Sequence, residues 1–115
     1  MTVWFTSDTH FAHRNVIEFC KRPFASIEEM DEEIIRRWNE RVEPGDRVYH
    51  LGDFAFGDHD PYLSRLNGMK NLVIGNHDGG RWRKATLWHS CERLAEVETN
   101  GVRFVLCDYA MPVWR

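Results

Sequence analysis

The chain has 115 residues, 43% of them hydrophobic and 29% charged, which suits one globular core and excludes disordered and collagen-like chains. No apolar run approaches the roughly 20 residues that span a bilayer, and Met1-Thr2-Val3-Trp4 has no basic flank of the kind a secretory leader carries. A formal net charge of −3 provides no overall positive field to gather nucleic acid, so binding to nucleic acid is unsupported.

The first element is Val3-Trp4-Phe5-Thr6, a short apolar and β-branched run that stops in Ser7-Asp8-Thr9-His10 and reads as a buried opening strand. Ser26-Ile27-Glu28-Glu29 has the form of a capping box, with the Ser26 hydroxyl facing the Glu29 amide. Ile27, Met30, Ile34, Ile35 and Trp38 then recur at three- and four-residue intervals, which predicts an amphipathic helix ending before Pro44-Gly45-Asp46. Arg47-Val48-Tyr49-His50-Leu51 is a second strand running into Gly52-Asp53. Asn71-Leu72-Val73-Ile74 is a third, running into Gly75-Asn76-His77-Asp78. Between them a short helix is expected from Pro61 through Leu66, closed by a left-handed Gly68. This alternation predicts an α/β fold whose strands deliver polar residues to one edge of a sheet. The last third differs: Ala95 to Thr99 alternates, and Asn100-Gly101 is a strong two-residue turn before Val102 to Leu106, predicting an antiparallel hairpin. The whole, residues 1–115, is expected to be one domain.

The cysteines Cys20, Cys91 and Cys107 are three and scattered, without a Cys-x-x-Cys pair. They read as small buried side chains in a reducing cytoplasm, with no disulfide framework or thiolate zinc site. His50 is expected to pack or hydrogen-bond within its strand, His59 and His89 to lie on the surface, and Trp82 and Trp88 to serve the core. His13, Arg14, Arg81 and Arg83 are open to either a substrate-facing or a solvated role.

Three strand ends carry groups suited to a divalent cation. Asp8 and His10 are two apart, so an extended segment projects both to one side. Asp53 arrives from the second strand after a glycine, and Asn76 and His77 arrive from the third, again after a glycine. Asp-x-His, Gly-Asp and Gly-Asn-His-Asp in this order, each after a strand, together resemble the calcineurin-like metallophosphoesterase superfamily. Phe5-Thr6-Ser7-Asp8-Thr9-His10-Phe11-x-His13 and Tyr49-His50-Leu51-Gly52-Asp53-Phe54 are similar to its small bacterial and phage branch. The resemblance implies an α/β sandwich, here partial, with helices flanking the strands. It implies that Asp8 and His10 bind one metal, that Asp53 bridges two and that Asn76 binds the other. His77 would face the scissile phosphate, with Asp78 orienting its ring. The implied reaction is attack of a metal-bound hydroxide on a phosphomonoester or phosphodiester, a nucleotide being one candidate, with Mn²⁺ the first choice of metal and Zn²⁺, Ni²⁺, Fe²⁺ or Mg²⁺ the others, one or two per chain.

Two departures bear on activity. The branch often has Cys-His-Tyr-Pro where this chain has Cys107-Asp108-Tyr109-Ala110, so Asp108 stands in place of a metal-binding histidine. The final Gly-His-x-His motif is missing, since no histidine follows His89, and the expectation is a domain truncated relative to its ancestor. The leading reading is a metal-dependent phosphoesterase acting on a small phosphate ester away from any membrane. The alternative is an impaired member retained as a binding or interaction module.

Overall fold

The computed structural model describes residues 1–12, 25–74 and 80–107. Four strands, β1 (Val3–Thr6), β2 (Arg47–His50), β3 (Met69–Val73) and β4 (Ser90–Glu92), form one parallel sheet in the order β1-β2-β3-β4. The registers Val3↔Arg47, Arg47↔Met69 and Asn71↔Ser90 keep the C-terminal ends of β1, β2 and β3 together. Each connection therefore has to return along the sheet, and the first two use α1 (Ile27–Arg41) and α2 (Asp60–Leu63), while a 3₁₀ turn at Arg81–Arg83 lies on the third.

The start of α1 is fixed by local chemistry. Ser26 has extended backbone angles and its hydroxyl accepts from the Glu29 amide at 3.1 Å, while the Glu29 carboxylate reaches back to the amide of Ala25. The expected apolar stripe is buried, with Ile34 at its half-buried margin, but it contains one carboxylate: Asp31 is buried beside Met30 and Ile35. The second helix is shorter than the sequence suggests, covering Asp60–Leu63 before looser turns carry the chain to Gly68. Gly68 has φ 98°, and a Cβ there would lie 2.9 Å from Val42 Cγ1, so both conformation and space require glycine.

Alternation along the strands assigns the two faces of the sheet. Trp4, Val48, Leu72 and Ile74 pack toward α1 and α2 with Ile35, Trp38, Leu63, Leu66 and Trp88. Val3, Tyr49, Leu51 and Val73 pack the other way, against Ala95, Val97 and Leu106. Those last three belong to the predicted hairpin, β5 (Leu94–Thr99) and β6 (Val102–Cys107), whose Asn100-Gly101 turn has positive φ at both positions as a two-residue hairpin demands. The result is helix, parallel sheet and hairpin in three layers, a partial sandwich with α/β character.

Some expectations need correction. β4 was not expected, because Ser-Cys-Glu is short and carries no alternating apolar signal; its pairing with β3 creates the strand. His59 is not a surface residue: it is 1% exposed, and its Nδ1 accepts from Trp88 Nε1 at 3.0 Å. An indole that needs an acceptor inside the core explains the placement. Cys91 and Cys107 form no disulfide and are only half-buried, whereas Cys20 lies outside the described residues. Trp88 is core and Trp82 packs against it as expected, and His89 is exposed.

Candidate metal centre

β1 and β2 do not separate where their regular geometry ends. Leu51 N–H donates to Thr6 O, Asp8 N–H to Gly52 O at 3.0 Å, His10 N–H to Asp53 O at 2.9 Å and Phe11 N–H to Phe54 O at 2.9 Å. The ladder closes on a parallel bridge between Phe11 and Ala55. Two chain segments thus leave the sheet zipped together, and they carry Asp8, His10 and Asp53.

The geometry of those segments departs from the extended spacing expected of Asp8-x-His10. Asp8 (φ 57°), His10 (52°) and Ala12 (60°) are all left-handed, as are Gly52 (99°) and Asp53 (55°). An L-residue in this region carries about 1 kcal/mol or more of strain, and Asp and His tolerate it better than Ala. The juxtaposition predicted from an extended segment is met by a different route, in which every second residue of 8–12 turns left-handed so that the backbone can follow the ladder.

The intervening side chains anchor the arrangement. Phe11 and Phe54, each directly after a candidate ligand, are both fully buried, with ring centroids 5.1 Å apart. Phe54 also contacts the rings of His50, His59 and Trp88 at 5.2, 5.0 and 4.8 Å. Thr9, between Asp8 and His10, points inward: its hydroxyl lies 2.8 Å from Phe54 O and 3.0 Å from His50 Nε2. The single hydroxyl proton goes to the carbonyl, which can only accept, so His50 is assigned as the Nε2–H tautomer donating to Thr9. Burial pushes the pKa of His50 down to about 3, against a partial upward pull from Asp8, so its imidazole is neutral. Its other ring nitrogen, Nδ1, is buried and has no hydrogen-bond partner among the described residues. Beyond the ladder, the Ala12 N–H meets both oxygens of Asp31 at 3.2 Å. Burial raises the pKa of Asp31, opposed by that amide and by the Tyr62 hydroxyl.

On the outer side, one donor atom from each of Asp8, His10 and Asp53 lies within 4.8 Å of the others. His10 Nε2 is 3.7 Å from Asp8 Oδ1, too long for a hydrogen bond and well suited to two ligands of one ion. Bonds of about 2.1 Å to a shared cation place neighbouring donors about 3–4 Å apart, so small side-chain rotations suffice to close the set. Two carboxylates and an imidazole form a hard to borderline donor set that fits Mn²⁺, Zn²⁺ or Mg²⁺. Asp8 is exposed, which leaves the cluster open to solvent on one side. This is a potential divalent-metal site.

Asn76, His77, Asp78 and Asp108, with His13 and Arg14, lie outside the described residues. Arg81 pairs with Asp58 at 3.1 Å beside a hollow of about 290 Å³ that Lys84 also lines, and Arg83 lies over the Trp82 ring at 5.2 Å. The buried Thr9, His50 and Asp31 and the half-buried Tyr62 were not expected to serve the site. Asp31 left a signal, a carboxylate adjoining the apolar stripe of α1; the Thr9–His50 contact, 41 residues apart in sequence, left none.

The chain matches known proteins in sequence and in fold. The family model of calcineurin-like phosphoesterases matches residues 1–113. The chain belongs to the calcineurin-like phosphoesterase family. Among its relatives, an uncharacterized protein of Methanocaldococcus jannaschii is 36% identical over 109 residues, covering 90% of this chain and 56% of that protein. The Gene 66 protein of Mycobacterium phage D29 is 34% identical over 109 residues, 90% of this chain and 51% of its own length, in keeping with the bacterial and phage branch. A crystal structure of a protein of unknown function from Aquifex aeolicus superposes with a TM-score of 0.76 at 31% identity, covering 97% of this chain and 63% of that one. The chain thus spans about half the length of the curated relatives, and as a calcineurin-like phosphoesterase it carries the helix, sheet and hairpin layers described above. No described helix is long and apolar enough to cross a membrane.

Proposed function

We propose that this chain hydrolyses a phosphomonoester or phosphodiester with the help of divalent cations, Mn²⁺ foremost. The observation that carries the reading is the convergence of Asp8, His10 and Asp53 within 4.8 Å on two zipped chain segments, in a member of a phosphoesterase family. Asp8, His10 and Asp53 hold the first cation. Asp53, Asn76 and Asp108 hold the second where both are bound. Divalent cations supply positive charge for the phosphoryl oxygens and acidify water at the site. Asp53, with two carboxylate oxygens, is the residue able to serve both positions, while the neutral amide of Asn76 limits negative charge that would repel the phosphate. In the reaction a water oxygen bonds to phosphorus and the ester P–O bond breaks. His77 donates a proton to the leaving oxygen, and Asp78 orients the imidazole. The substrate is a small phosphate ester, a nucleotide being one candidate. Cys91 and Cys107, in no disulfide, fit a reducing cytoplasm.

A second reading rests on Asp108, where the family branch carries a histidine. With that ligand replaced the chain acts as a metal-binding interaction module. The deciding experiment is hydrolysis of bis-p-nitrophenyl phosphate and p-nitrophenyl phosphate with added Mn²⁺, with Asp53→Asn as the blank. Turnover above that blank is expected. Mn²⁺ uptake by calorimetry without turnover on either compound selects the binding module, and neither uptake nor turnover rejects both readings.

A further inference from the structure

The structure holds a buried polar pair directly beneath the candidate metal ligands, reached by no sequence motif. Thr9 is 7% exposed and His50 is fully buried, yet both are polar, and they meet across 41 residues of sequence at 3.0 Å. Thr9 sits between Asp8 and His10, both left-handed, and its hydroxyl also holds Phe54 O, the carbonyl directly after Asp53. A single side chain therefore ties together the segments that carry all three ligands. A purely apolar core position at residue 9 would fill the same space without burying a hydroxyl and an imidazole, whose Nδ1 finds no hydrogen bond among the described residues.

We infer that Thr9 and His50 are positioning residues for the metal centre: their buried hydrogen bond holds the strained 8–12 segment against the 52–55 segment, so that Asp8, His10 and Asp53 face one cation before it arrives. The inference rests on the metal-site reading above, and its physical basis is preorganisation. A segment with three left-handed L-residues relaxes toward extended conformations unless its surroundings hold it, and ligands fixed in place before binding lose less freedom when the metal enters. Phe11 and Phe54 provide apolar anchorage for the same segments, and the Thr9 hydroxyl adds directional bonds from a side chain.

The test separates positioning from general stability. Mn²⁺ affinity is measured by calorimetry, and amide exchange in the metal-free protein at the Asp8 and His10 N–H groups, which bond Gly52 O and Asp53 O. Thr9→Val keeps the shape and removes the hydroxyl. It is expected to weaken Mn²⁺ binding about tenfold or more and to speed exchange at both amides relative to Val48 in β2. Thr9→Ser, which restores the hydroxyl, is expected to bind within about threefold of the wild type, and His50→Gln, which keeps a donor near the Nε2 position, to bind more tightly than His50→Leu. Val97→Ala, in the hairpin layer, is expected to lower Tm while leaving Mn²⁺ affinity and the exchange of those two amides unchanged. Wild-type binding combined with an unaltered Thr9→Val affinity overturns the inference. If the wild type takes up no Mn²⁺, the metal reading fails by itself, and unchanged exchange at Asp8 and His10 in Thr9→Val overturns the clamp independently of it.

Discussion

The two faces of the parallel sheet are built from different materials. On the hairpin side the buried apolar contacts are Val73, Ala95, Val97 and Leu106, with Val3, Tyr49 and Leu51 around them, and the buried Asn71 on that face has a side-chain amide that donates to Val48 O and Met69 O and accepts from the Ser90 hydroxyl. On the helix side the buried interior admits His50, His59, Thr9 and Asp31, and His50 Nδ1 has no hydrogen-bond partner among the described residues. Burying a polar group without complete partners costs about 1–3 kcal/mol, so a core shaped only for stability would resemble the hairpin side. The polar groups are not scattered: Thr9 lies between two candidate ligands, His50 touches Thr9, and Asp31 holds the amide two residues beyond His10. One half of the core supplies burial alone, and the other also holds the segments that carry the candidate metal ligands.

The largest effects belong to the ligands themselves. Asp53→Asn and His10→Ala are expected to weaken Mn²⁺ binding by about two orders of magnitude, seen by calorimetry, and to remove hydrolysis of bis-p-nitrophenyl phosphate. Asp53→Asn should not lower the thermal stability of the metal-free protein appreciably, because it removes one of two neighbouring carboxylates that repel and asparagine tolerates the left-handed position, whereas His10→Ala carries the added strain of alanine at φ 52°. A large drop in metal-free Tm for Asp53→Asn would show that Asp53 belongs to the scaffold and not to the site. The hairpin side should give the opposite pattern. Val97→Ala removes two buried methyl groups and is expected to lower stability by about 2 kcal/mol in urea denaturation, with Mn²⁺ affinity unaltered.

A carboxylate in the helix-side core sharpens the contrast. Asp31 accepts from Ala12 N–H and from the Tyr62 hydroxyl, and Tyr62 stacks on Phe11 at 4.7 Å. In Asp31→Asn the amide NH₂ becomes a buried donor among groups that are already donors. We expect a loss of about 1–2 kcal/mol together with a measurable weakening of Mn²⁺ binding. Stability loss with unchanged affinity would place Asp31 with Val97, as packing alone.

Most of the scaffold could be read from sequence because its signals are local. The Ser26 cap, the spacing of Ile27, Met30, Ile34, Ile35 and Trp38, the left-handed Gly68 and the Asn100-Gly101 turn each act within a few residues, and each is found in its expected form. Asp8, His10 and Asp53 were legible as a motif, although the left-handed path that brings them together was not, since residue spacing alone cannot distinguish it from an extended one. What escaped depends on tertiary contact. β4 exists because β3 pairs with it, His59 is buried because the Trp88 indole needs an acceptor, and Thr9 acquires a role from a histidine on another strand. Asn76, His77, Asp78 and Asp108 lie outside the described residues, so their place in the site is argued from family resemblance alone.

The pH dependence of folding offers the finest test of the helix-side core. His50 has its pKa lowered from 6.5 to about 3 by burial, whereas in the unfolded chain it titrates near the ordinary value. Between those values the unfolded state binds a proton that the folded state does not, so the stability contributed by neutral His50 is full above pH 6.5 and declines as the pH falls. From pH 7 to 5.5 this one group should remove about 1 kcal/mol, at a limiting slope of about 1.4 kcal/mol per pH unit. Asp31 acts with the opposite sign, because its raised pKa lets the folded state take up a proton before the unfolded one does. The comparison is therefore made between proteins that share Asp31. Urea denaturation of the wild type and of His50→Gln at both pH values isolates the histidine, since glutamine retains a donor toward Thr9 and does not titrate. The wild type should lose about 1 kcal/mol more than His50→Gln over this interval. Equal losses would mean that His50 is protonated in the folded state, and a cationic imidazole there would add positive charge beneath the very ligands that must hold a cation.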